Sequence, residues 1–449
     1  MKQNLLLIIC FIFYGVLISD KGFTQSIDSL PPGFFYGSPS TLLYDSTNNL
    51  LYAGGRFNEL YGGGPMSCIS KWNGTQWDSL GSGVDDGGRV NKMVIYQNQL
   101  IAAGTFGSIG GIPAKGLAKW TGSTWQPFAD VMKSSGTQGI VVTLYIDGTD
   151  LYVGGEFDSI NGIAARSIAR YDGTNWYTYP SFFLNYVHID AIITYNNELY
   201  IGGNFDGGPN LKDIRKFDGT NWVAVGNGLS GANTFVTGFA IYQNLLYVSG
   251  YFLTIYGDPG NNIAIWDGNS WSQAGQGVMP ANPLDIEVFN NKLYAAGQFN
   301  DASGIPVTYI AVWDGNTWSS FDGHIFDLGV AGFAAYQNTL YLAGVFTTVD
   351  GVPMRHVIRY DLFTGISESL DNCVKIYPTI SDGLYTIDLT CSSEYNEIEL
   401  YNNLGQCVYQ KRIIDFERFT LDLTSFPSGF YNIICYDEKS KYINKLMKY

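Results

Sequence analysis

Charged residues are scarce in this chain of 449 residues. They make up 14% of it, against roughly a quarter of a typical soluble protein. Basic residues are scarcer than acidic ones, 25 against 40, which leaves a net charge of -15. An electrostatic nucleic-acid binder needs a basic surface, so this balance excludes that class. The hydrophobic fraction of 46% is ordinary, and it excludes an intrinsically disordered chain.

Long apolar runs are equally few. The main candidate, residues 5–18, follows Lys2 and has 14 residues, whereas a bilayer span needs about 20. The run instead predicts the core of a secretory signal peptide over residues 1–24, with cleavage between Ser19 and Gln25. No later stretch is long and apolar enough, so we expect no membrane span in the mature chain.

The chain has six cysteines, and one of them, Cys10, lies in the apolar run. Cys68 stands apart from the others, and we expect it to be a buried small apolar residue. The last 77 residues contain the other four, Cys373, Cys391, Cys407 and Cys435. In an exported chain these predict one or two disulfides, and all three ways of pairing four cysteines stay open.

Glycine and aromatic residues are abundant, with 54 glycines and an aromatic fraction of 15%. This combination favours many short strands joined by tight turns over helical bundles. Only three of the glycines lie beyond residue 365. The change in composition predicts two domains after the signal peptide, residues 25–365 and residues 366–449.

One phrase recurs in the first domain: apolar, Tyr, small, small, Gly, any residue x, Phe. Residues 51–57 and 151–157 are examples. The phenylalanines that end the phrase are spaced 47 to 51 residues apart, and they are Phe57, Phe106, Phe157, Phe205, Phe252, Phe299 and Phe346. A period near 48 residues indicates a repeat architecture of seven units.

Each unit has the pattern of four short strands. A polar pair such as Asn196-Asn197 suits the two-residue turn between strands one and two, because Asn tolerates a positive φ. An Asp-Gly turn such as Asp172-Gly173 joins strands three and four, and a Trp follows in six of the units. The seventh unit lacks this Trp strand. Residues 24–30 align with the fourth strand at residues 75–80, so we expect the N-terminal strand to complete the last unit and remove an open sheet edge.

The units resemble the kelch repeat in the diglycine at residues 154–155, the aromatic Tyr171 and the following Trp176. The resemblance covers residues 26–365, although residues 100–106 and 246–252 keep only one of the two glycines. It implies an all-β fold, a seven-bladed β-propeller of four-stranded blades whose N-terminal strand closes the last blade. Kelch-type propellers range from oxidases to binding modules, so the fold leaves the function open.

The last domain, residues 366–449, has the alternating pattern of a small Ig-like β-sandwich. Its landmarks occur in a fixed order, from Val374–Pro378 through Leu400–Gly405 and Leu421–Tyr431 to a basic tail. This order resembles the type A C-terminal sorting domain of the type IX secretion system, although the opening lacks the usual Tyr-Pro-Asn-Pro. The resemblance assigns the sorting signal to Tyr377, Pro378, Gly405, Pro427, Gly429, Tyr431 and Lys445.

That resemblance implies the type IX secretion machinery as a partner. It also implies a mature chain that is secreted or held at the cell surface, outside the outer membrane. An ordinary adhesive Ig-like tail is the alternative. Whether the chain is anchored or released stays open.

The meander topology puts the longer connections, from strand two to three and from strand four to the next unit, at one end of the units, the default binding surface. We predict ligand contacts there from cations that follow a repeated Gly motif and from loop aromatics: Lys115, Arg166, Arg355, Tyr61, Phe183, Tyr186 and Tyr256. The alternatives are that the Gly motif only closes each loop and that the aromatics, with Phe326, pack between units.

Catalytic patterns are weak. The three histidines, His188, His324 and His356, lie in different units and form no metal-spaced cluster. Loop carboxylates suit a glycosidase or calcium as well as plain solvation, and they are Asp85, Asp86, Asp158, Asp206, Asp258 and Asp301. We therefore expect an extracellular binding or adhesion protein for a glycan or a protein, with no required cofactor. The alternative is a secreted carbohydrate-active enzyme.

Overall fold

The computed structural model describes most of the chain after residue 25. The described ranges are 26–31, 33–60, 67–85, 87–180, 187–205, 213–230, 234–255, 258–362, 375–377, 380–388, 397–402, 406–412, 418–436 and 441–448. The regular elements in these ranges are strands, and they include no helix that is long and apolar enough to cross a membrane. Two compact units are present, one of Ile27–Asp361 and one that contains Leu362–Tyr449.

In the described part of the first unit, the chain forms seven antiparallel sheets with four main strands each, here called sheets 1 to 7, and a small hairpin extends sheet 2 to six strands. Sheet 1 consists of Phe34–Asp45, Leu50–Leu60, Ile69–Trp72 and Trp77–Ser79. Sheet 2 consists of Arg89–Tyr96, Gln99–Thr105, Gly116–Trp120 and Trp125–Met132. Sheet 3 consists of Ile140–Asp147, Asp150–Glu156, Ile168–Tyr171 and Trp176–Thr178. Sheet 4 consists of Val187–Tyr195, Glu198–Phe205, Ile214–Phe217 and Trp222–Ala224. Sheet 5 consists of Phe235–Tyr242, Leu245–Tyr251, Ile263–Trp266 and Trp271–Gln273. Sheet 6 consists of Pro283–Phe289, Lys292–Gly297, Ile310–Trp313 and Trp318–Ser320. Sheet 7 consists of Val330–Tyr336, Thr339–Gly344, Val357–Asp361 and the N-terminal strand Ser26–Ser29.

These sheets form a closed ring. The first strand of each sheet packs against the first strand of the next, and that of sheet 7 packs against that of sheet 1. Apolar side chains fill the spaces between sheets, and the phenylalanines that end the repeated phrase are buried in them. The apolar positions of the repeat therefore pack between neighbouring sheets, because no sheet can bury its faces alone.

The N-terminal strand Ser26–Ser29 occupies the fourth-strand position of sheet 7, next to Val357–Asp361. A repeated hydrogen bond marks this position: a Trp in the fourth strand donates its Nε1–H to the carbonyl that follows the fourth strand of the preceding sheet. Trp125 donates to Leu80 at 2.8 Å and Trp318 to Ala274 at 2.8 Å. Trp77 makes the same bond to Leu30 at 3.1 Å. The predicted closure by the N-terminal strand is confirmed.

The connections at one end of the ring, the short-turn end, are tight. In sheets 2, 4, 5 and 6 the polar pair between strands one and two has positive φ at both residues, as at Asn196 and Asn197. In the Asp-Gly turns, the Asp carboxylate accepts two backbone N–H groups: Asp172 accepts those of Thr174 and Asn175 at 2.8 and 2.7 Å. Both predicted turn chemistries are present.

The opposite end, the long-connection end, carries the longer segments. Five connections between strands two and three contain small hairpins: Ser108–Ile109 with Ile112–Pro113, Ser159–Ile160 with Ile163–Ala164, Thr254–Ile255 with Asp258–Pro259, Asp301–Ala302 with Ile305–Pro306, and Thr348–Val349 with Val352–Pro353. Three hairpins pair with the segment that leaves the preceding sheet, at the end of Trp125–Met132 and at the short strands Leu229–Ser230 and Val278–Met279. These connections are therefore tied to their neighbours by backbone hydrogen bonds.

The second unit has two sheets around one core in its described residues. The three-stranded sheet contains Lys375–Tyr377, Leu384–Asp388 and Arg418–Asp422, and the five-stranded sheet contains Ile380–Ser381, Lys441–Lys448, Gly429–Tyr436, Glu397–Asn402 and Cys407–Arg412. Side chains from both sheets, such as Ile387 and Ile433, share the core. The expected two-layer β arrangement is present.

Candidate functional site

We call the centre of the ring at its long-connection end the mouth. A bulge that recurs in the first strand of every sheet shapes it. Each first strand contains a register shift at the same place near its start, for example between Val90 and Lys92 and between Ile189 and Ala191. The other first strands shift in the same way. Such bulges bend a strand and re-aim its side chains, and they are common beside binding sites.

The second glycine of the repeated phrase fits against this bulge. A Cβ on Gly203 would lie 1.9 Å from the carbonyl oxygen of His188, and one on Gly104 would lie 2.0 Å from that of Arg89. The equivalent glycines of the other sheets have a carbonyl within 2.6 Å. By contrast, a Cβ on the first glycine meets mainly side chains, as Gly154 meets Ile189 and Thr143. This difference explains why Ala or Ser replaces the first glycine in several units and never the second.

Directly beyond the second glycine, one level of side chains surrounds the mouth, and we call it the collar. Its second-strand members are the residues at position x of the repeated phrase: Arg56, Thr105, Glu156, Asn204, Tyr251, Gln298 and Val345. Its first-strand members lie opposite them, at Ser38, Arg89, Ile140, His188, Phe235, Asn282 and Gly329. The bulge and the second glycine are the same in every sheet, whereas the collar residues differ from sheet to sheet.

Collar residues of neighbouring sheets lie side by side, because the second strand of one sheet packs against the first strand of the next. A Cβ on Gly329 of sheet 7 would lie 3.4 Å from Cγ of Gln298 in sheet 6. Likewise, the charge of Glu156 in sheet 3 acts on His188 in sheet 4. By the same register, Arg56 of sheet 1 is the neighbour of Arg89 of sheet 2.

The collar is charged on the side of sheets 1 to 4. Lys133 pairs with Glu156 at 2.6 Å, and Nδ1 of His188 lies 3.0 Å from the carboxylate of Asp190. Burial opposes protonation of His188, but the hydrogen bond and charge of Asp190, helped by Glu156, outweigh it and raise its pKa. The positive charge of Arg89 opposes that rise in the pKa of His188.

On the side of sheet 5 the collar is aromatic. The rings of Phe235 and Tyr251 stack with centroids 5.8 Å apart and an interplanar angle of 19°. Both side chains are half-buried, so part of each ring remains open to solvent. This stacked pair, here called the platform, belongs to sheet 5, which lies across the ring from sheets 1 and 2.

A second charged group lies deeper in the channel, below the collar. Asp285 and Glu287 of sheet 6 are two residues apart on one strand, and the Asp285 carboxylate accepts the N–H of Phe333 at 2.9 Å. Both side chains keep some solvent exposure but are surrounded by protein. Burial raises the pKa of Asp285, and it raises that of Glu287 to about 7. The charge of Lys92, from sheet 2, lowers both pKa values in part.

The predicted ligand cations lie away from the collar or apart from one another. Lys115 forms an ion pair with Asp130 at 3.4 Å, and its carbonyl accepts the N–H of Val131, in the outermost strand of sheet 2. Arg166 is exposed on sheet 3, and Arg355 is half-buried on sheet 7. A shared ligand for the three stays a prediction. Four predicted aromatics lie outside the described residues: Tyr61, Phe183, Tyr186 and Tyr256.

The repeated Gly motif closes the small hairpins. Gly111, Gly162, Gly304 and Gly351 all have positive φ in the hairpin turns, which confirms the structural interpretation of the motif. Phe326 is also structural: it is buried, and its ring lies 5.2 Å from that of Phe346.

The described loop acids hold the connections in place. Asp85 accepts the N–H of Gly111 at 2.8 Å, Asp158 that of Ser134 at 2.7 Å and Asp301 that of Gly304 at 2.9 Å. Asp258 lies in a small hairpin strand, and Asp86 and Asp206 lie outside the described residues. Among the residues that the structure describes, no group of three His, Cys, Asp or Glu side chains is placed to hold a metal ion.

The remaining histidines and the propeller-region cysteine have local partners. Nδ1 of His324 lies 2.7 Å from Asp350, and Nδ1 of His356 lies 3.1 Å from the carbonyl of Gly344. Burial lowers the pKa of His356. Cys68 is buried, as expected, and its Sγ lies 3.3 Å from the carbonyl of Gly88.

In the second unit, the predicted sorting residues belong to the sheets and one loop. Tyr377 and Lys445 lie in strands. Tyr431 is buried and donates to the carbonyl of Pro427 at 2.6 Å. The loop that carries Pro427 is also held by Lys448, whose Nζ donates to the carbonyls of Thr424 and Phe426 at 3.0 and 2.5 Å. Gly429 starts a strand with a positive φ, while Pro378 and Gly405 lie outside the described residues.

Two of the tail cysteines are described, and neither forms a disulfide there: Cys407 is exposed and Cys435 is buried. Burial raises the pKa of the Cys435 thiol to about 12, so this thiol is unreactive at neutral pH. Cys373 and Cys391 lie outside the described residues, and their pairing stays a prediction.

Comparison with known families gives one match. Residues 375–449 match the secretion system C-terminal sorting domain. The match confirms the predicted type IX sorting domain and indicates secretion and sorting to the cell surface by that system. No curated protein matches the chain.

Several solved structures are similar in fold. The extracellular domain of a protein assigned to the hybrid two-component systems of B. thetaiotaomicron is 10% identical with a TM-score of 0.47, over 92% of this chain and 55% of that one. That of a protein assigned to the one-component systems of the same organism is 12% identical with a TM-score of 0.47, over 94% and 59%. The GH74 enzyme of Niastella koreensis is 12% identical with a TM-score of 0.43, over 94% and 74%. The chain thus spans less than two thirds of the first two.

Proposed function

We propose that this protein is a secreted or surface-attached binding protein whose ligand, a glycan or a protein, enters the mouth at the long-connection end of the ring. In this proposal the ring is a seven-bladed, kelch-like β-propeller, and the tail is an Ig-like sorting domain. One observation carries the proposal. The position of the repeated phrase that varies most in chemical character supplies the second-strand half of the collar, so a uniform scaffold carries different residues around the mouth.

The two ends of the ring also differ in what they offer a ligand. The short-turn end consists of two-residue turns and Asx turns whose polar groups are satisfied locally. The long-connection end carries the collar and the small hairpins. Binding residues in repeat scaffolds lie mainly on such loops and mouths, because rigid strands position them.

A glycan array probed with the purified secreted chain tests this function. We expect bound glycans, with signals that fall at least tenfold in His188→Gln and Asn204→Ala variants of the collar. Lys292→Gln, an exposed cation beside the turn at the short-turn end, is the matched control and should leave the signals unchanged. Signals that no collar variant lowers would place the ligand elsewhere and contradict the proposal.

Asp285 and Glu287 favour a second candidate, a carbohydrate-active hydrolase. Residues two apart on a strand point to the same face of the sheet, and glycosidases use a pair of neighbouring carboxyl groups. A Glu with a pKa of about 7 suits a general acid. Hydrolysis assays on every array hit separate the two functions. Reducing ends released by the wild-type chain and not by Glu287→Gln would favour the enzyme.

A further inference from the structure

We propose that the collar recognises an acidic glycan, with the carboxylate of a uronic acid bound between Arg56 and Arg89 and a sugar ring resting on Phe235 and Tyr251. This inference rests on the proposed binding function and specifies its ligand class.

The arginine pair is the first element of the argument. Arg56 and Arg89 are exposed and lie at the same level on adjacent sheets, whose strands Leu50–Leu60 and Arg89–Tyr96 pack together. In the described part of the chain, neither guanidinium has a carboxylate within ion-pair distance. The chain carries a net charge of -15, so two neighbouring arginines without acidic partners are unusual here. A guanidinium binds a carboxylate through two parallel hydrogen bonds.

Two other cations differ in this respect: Lys133, which contacts the collar residue Glu156, and His188 of the collar. Lys133 is neutralised by Glu156 at 2.6 Å, and His188 by Asp190 at 3.0 Å. Their charges are paired within the protein, whereas Arg56 and Arg89 form no ion pair with any residue that the structure describes. The positive potential of the mouth is therefore concentrated on the side of sheets 1 and 2, where an anionic group gains the most.

The platform of Phe235 and Tyr251 indicates a sugar as the carrier of that anion. Its two half-buried, stacked rings present an apolar surface for the C–H face of a sugar ring. The amides of Asn204, Asn282 and Gln298 belong to the same level of the mouth and offer both donors and acceptors to hydroxyl groups. An acidic peptide would use the arginines but has no need of the platform and the amides.

Polygalacturonate is the test ligand, and its fully methyl-esterified form is the matched uncharged polymer. Binding of both to the full secreted chain is measured by biolayer interferometry at fixed pH and salt. We expect polygalacturonate to bind at least tenfold more tightly than the ester. The Arg56→Gln/Arg89→Gln variant should lose at least tenfold for polygalacturonate, the Arg56→Lys/Arg89→Lys variant should lose less, and Lys292→Gln should lose nothing. Phe235→Leu should weaken binding while the melting temperature confirms folding.

Three outcomes would overturn the proposal: no binding of polygalacturonate, equal binding of the ester, or unchanged binding by the Arg-to-Gln variant. Equal or tighter binding of poly-L-glutamate that Phe235→Leu leaves unchanged would assign the arginines to an acidic peptide instead. If array glycans are neutral and their binding depends on collar residues, this inference fails while the proposed function stands. If no array ligand depends on the collar, both fail.

Discussion

At the scale of single residues, the repeated phrase contains two kinds of position. The second glycine is fixed by backbone sterics, because a Cβ there would meet a carbonyl oxygen at 1.9 to 2.6 Å. The next residue, x, has no such restriction, and it ranges from Arg56 to Glu156 to Tyr251 around the ring. A bulge that only glycine accommodates thus holds the residue beside it at the mouth, whatever that residue is.

The steric difference between the two positions predicts unequal losses of folding stability at two adjacent residues of sheet 2. Gly104→Ala should destabilise the chain by about 3 kcal/mol or more, because its Cβ meets the carbonyl of Arg89 at 2.0 Å and the core has no space for it. Ala103→Gly, the matched control, should cost only about 1 kcal/mol. Thermal and denaturant unfolding of the full chain measure both. Equal losses would show that the bulge does not require the glycine.

Glu287 predicts a pH dependence of stability. Its folded pKa, about 7, lies above its ordinary value of 4.5, so ionisation opposes folding. Below pH 4.5 the carboxyl is protonated in both states and costs nothing. Between pH 4.5 and 7 stability falls as pH rises, and the loss above pH 7 reaches about 3 kcal/mol, since one pKa unit corresponds to ~1.4 kcal/mol.

Glu287→Gln removes this titration, so the variant should gain stability over the wild-type chain at pH 8 and not at pH 4. Unfolding experiments at the two pH values measure the difference. Glu59→Gln, at an exposed acid of the same ring, is the matched surface control. A difference between Glu287→Gln and wild type that stays constant from pH 4 to pH 8 would contradict the burial of this carboxyl.

At the scale of elements, the N-terminal strand turns seven repeats into a ring. It supplies the fourth strand of sheet 7, and Trp77 of sheet 1 bonds to Leu30 behind it as other Trp side chains bond to their preceding sheets. The N-terminal strand thus joins the first and last repeats directly. It covers the edge of Val357–Asp361 that would otherwise be open.

Deletion of residues 25–30 therefore removes one strand, the acceptor of Trp77 and the buried side chain of Leu30. We expect the melting temperature to fall by about 10 °C or more. A chain that starts at residue 25 is the matched control and should melt like the secreted protein. An unchanged melting temperature after the deletion would mean that the ring does not depend on this strand.

Much of this architecture is predictable from sequence because it is local or repeated. Polar pairs require positive φ, Asp-Gly turns bond to their own backbone, and residues 24–30 resemble a known fourth strand. The collar is not predictable in this way, because the residues at position x share no pattern in the sequence. Only the bulges of the folded sheets bring them to one level. The raised pKa of Glu287 depends on a channel that forms only when the ring closes. Phe326 appears as a loop aromatic in the sequence, but the fold buries it against Phe346.

At the scale of the whole molecule, the two units have separate tasks. The tail matches the secretion system C-terminal sorting domain and directs the chain to the cell surface. The ring carries the low charge and the glycines, which serve turns and bulges. In our proposal it presents one individual surface, the mouth, to the medium outside the cell.

The most direct test of the mouth as the binding site is a crystal structure of the secreted chain with a glycan that binds it, polygalacturonate oligomers first. The account predicts ligand density inside the collar, with a carboxylate at Arg56 and Arg89 and a sugar ring over Phe235. Density at the short-turn end, or on the outer strands beside Lys115, would contradict it.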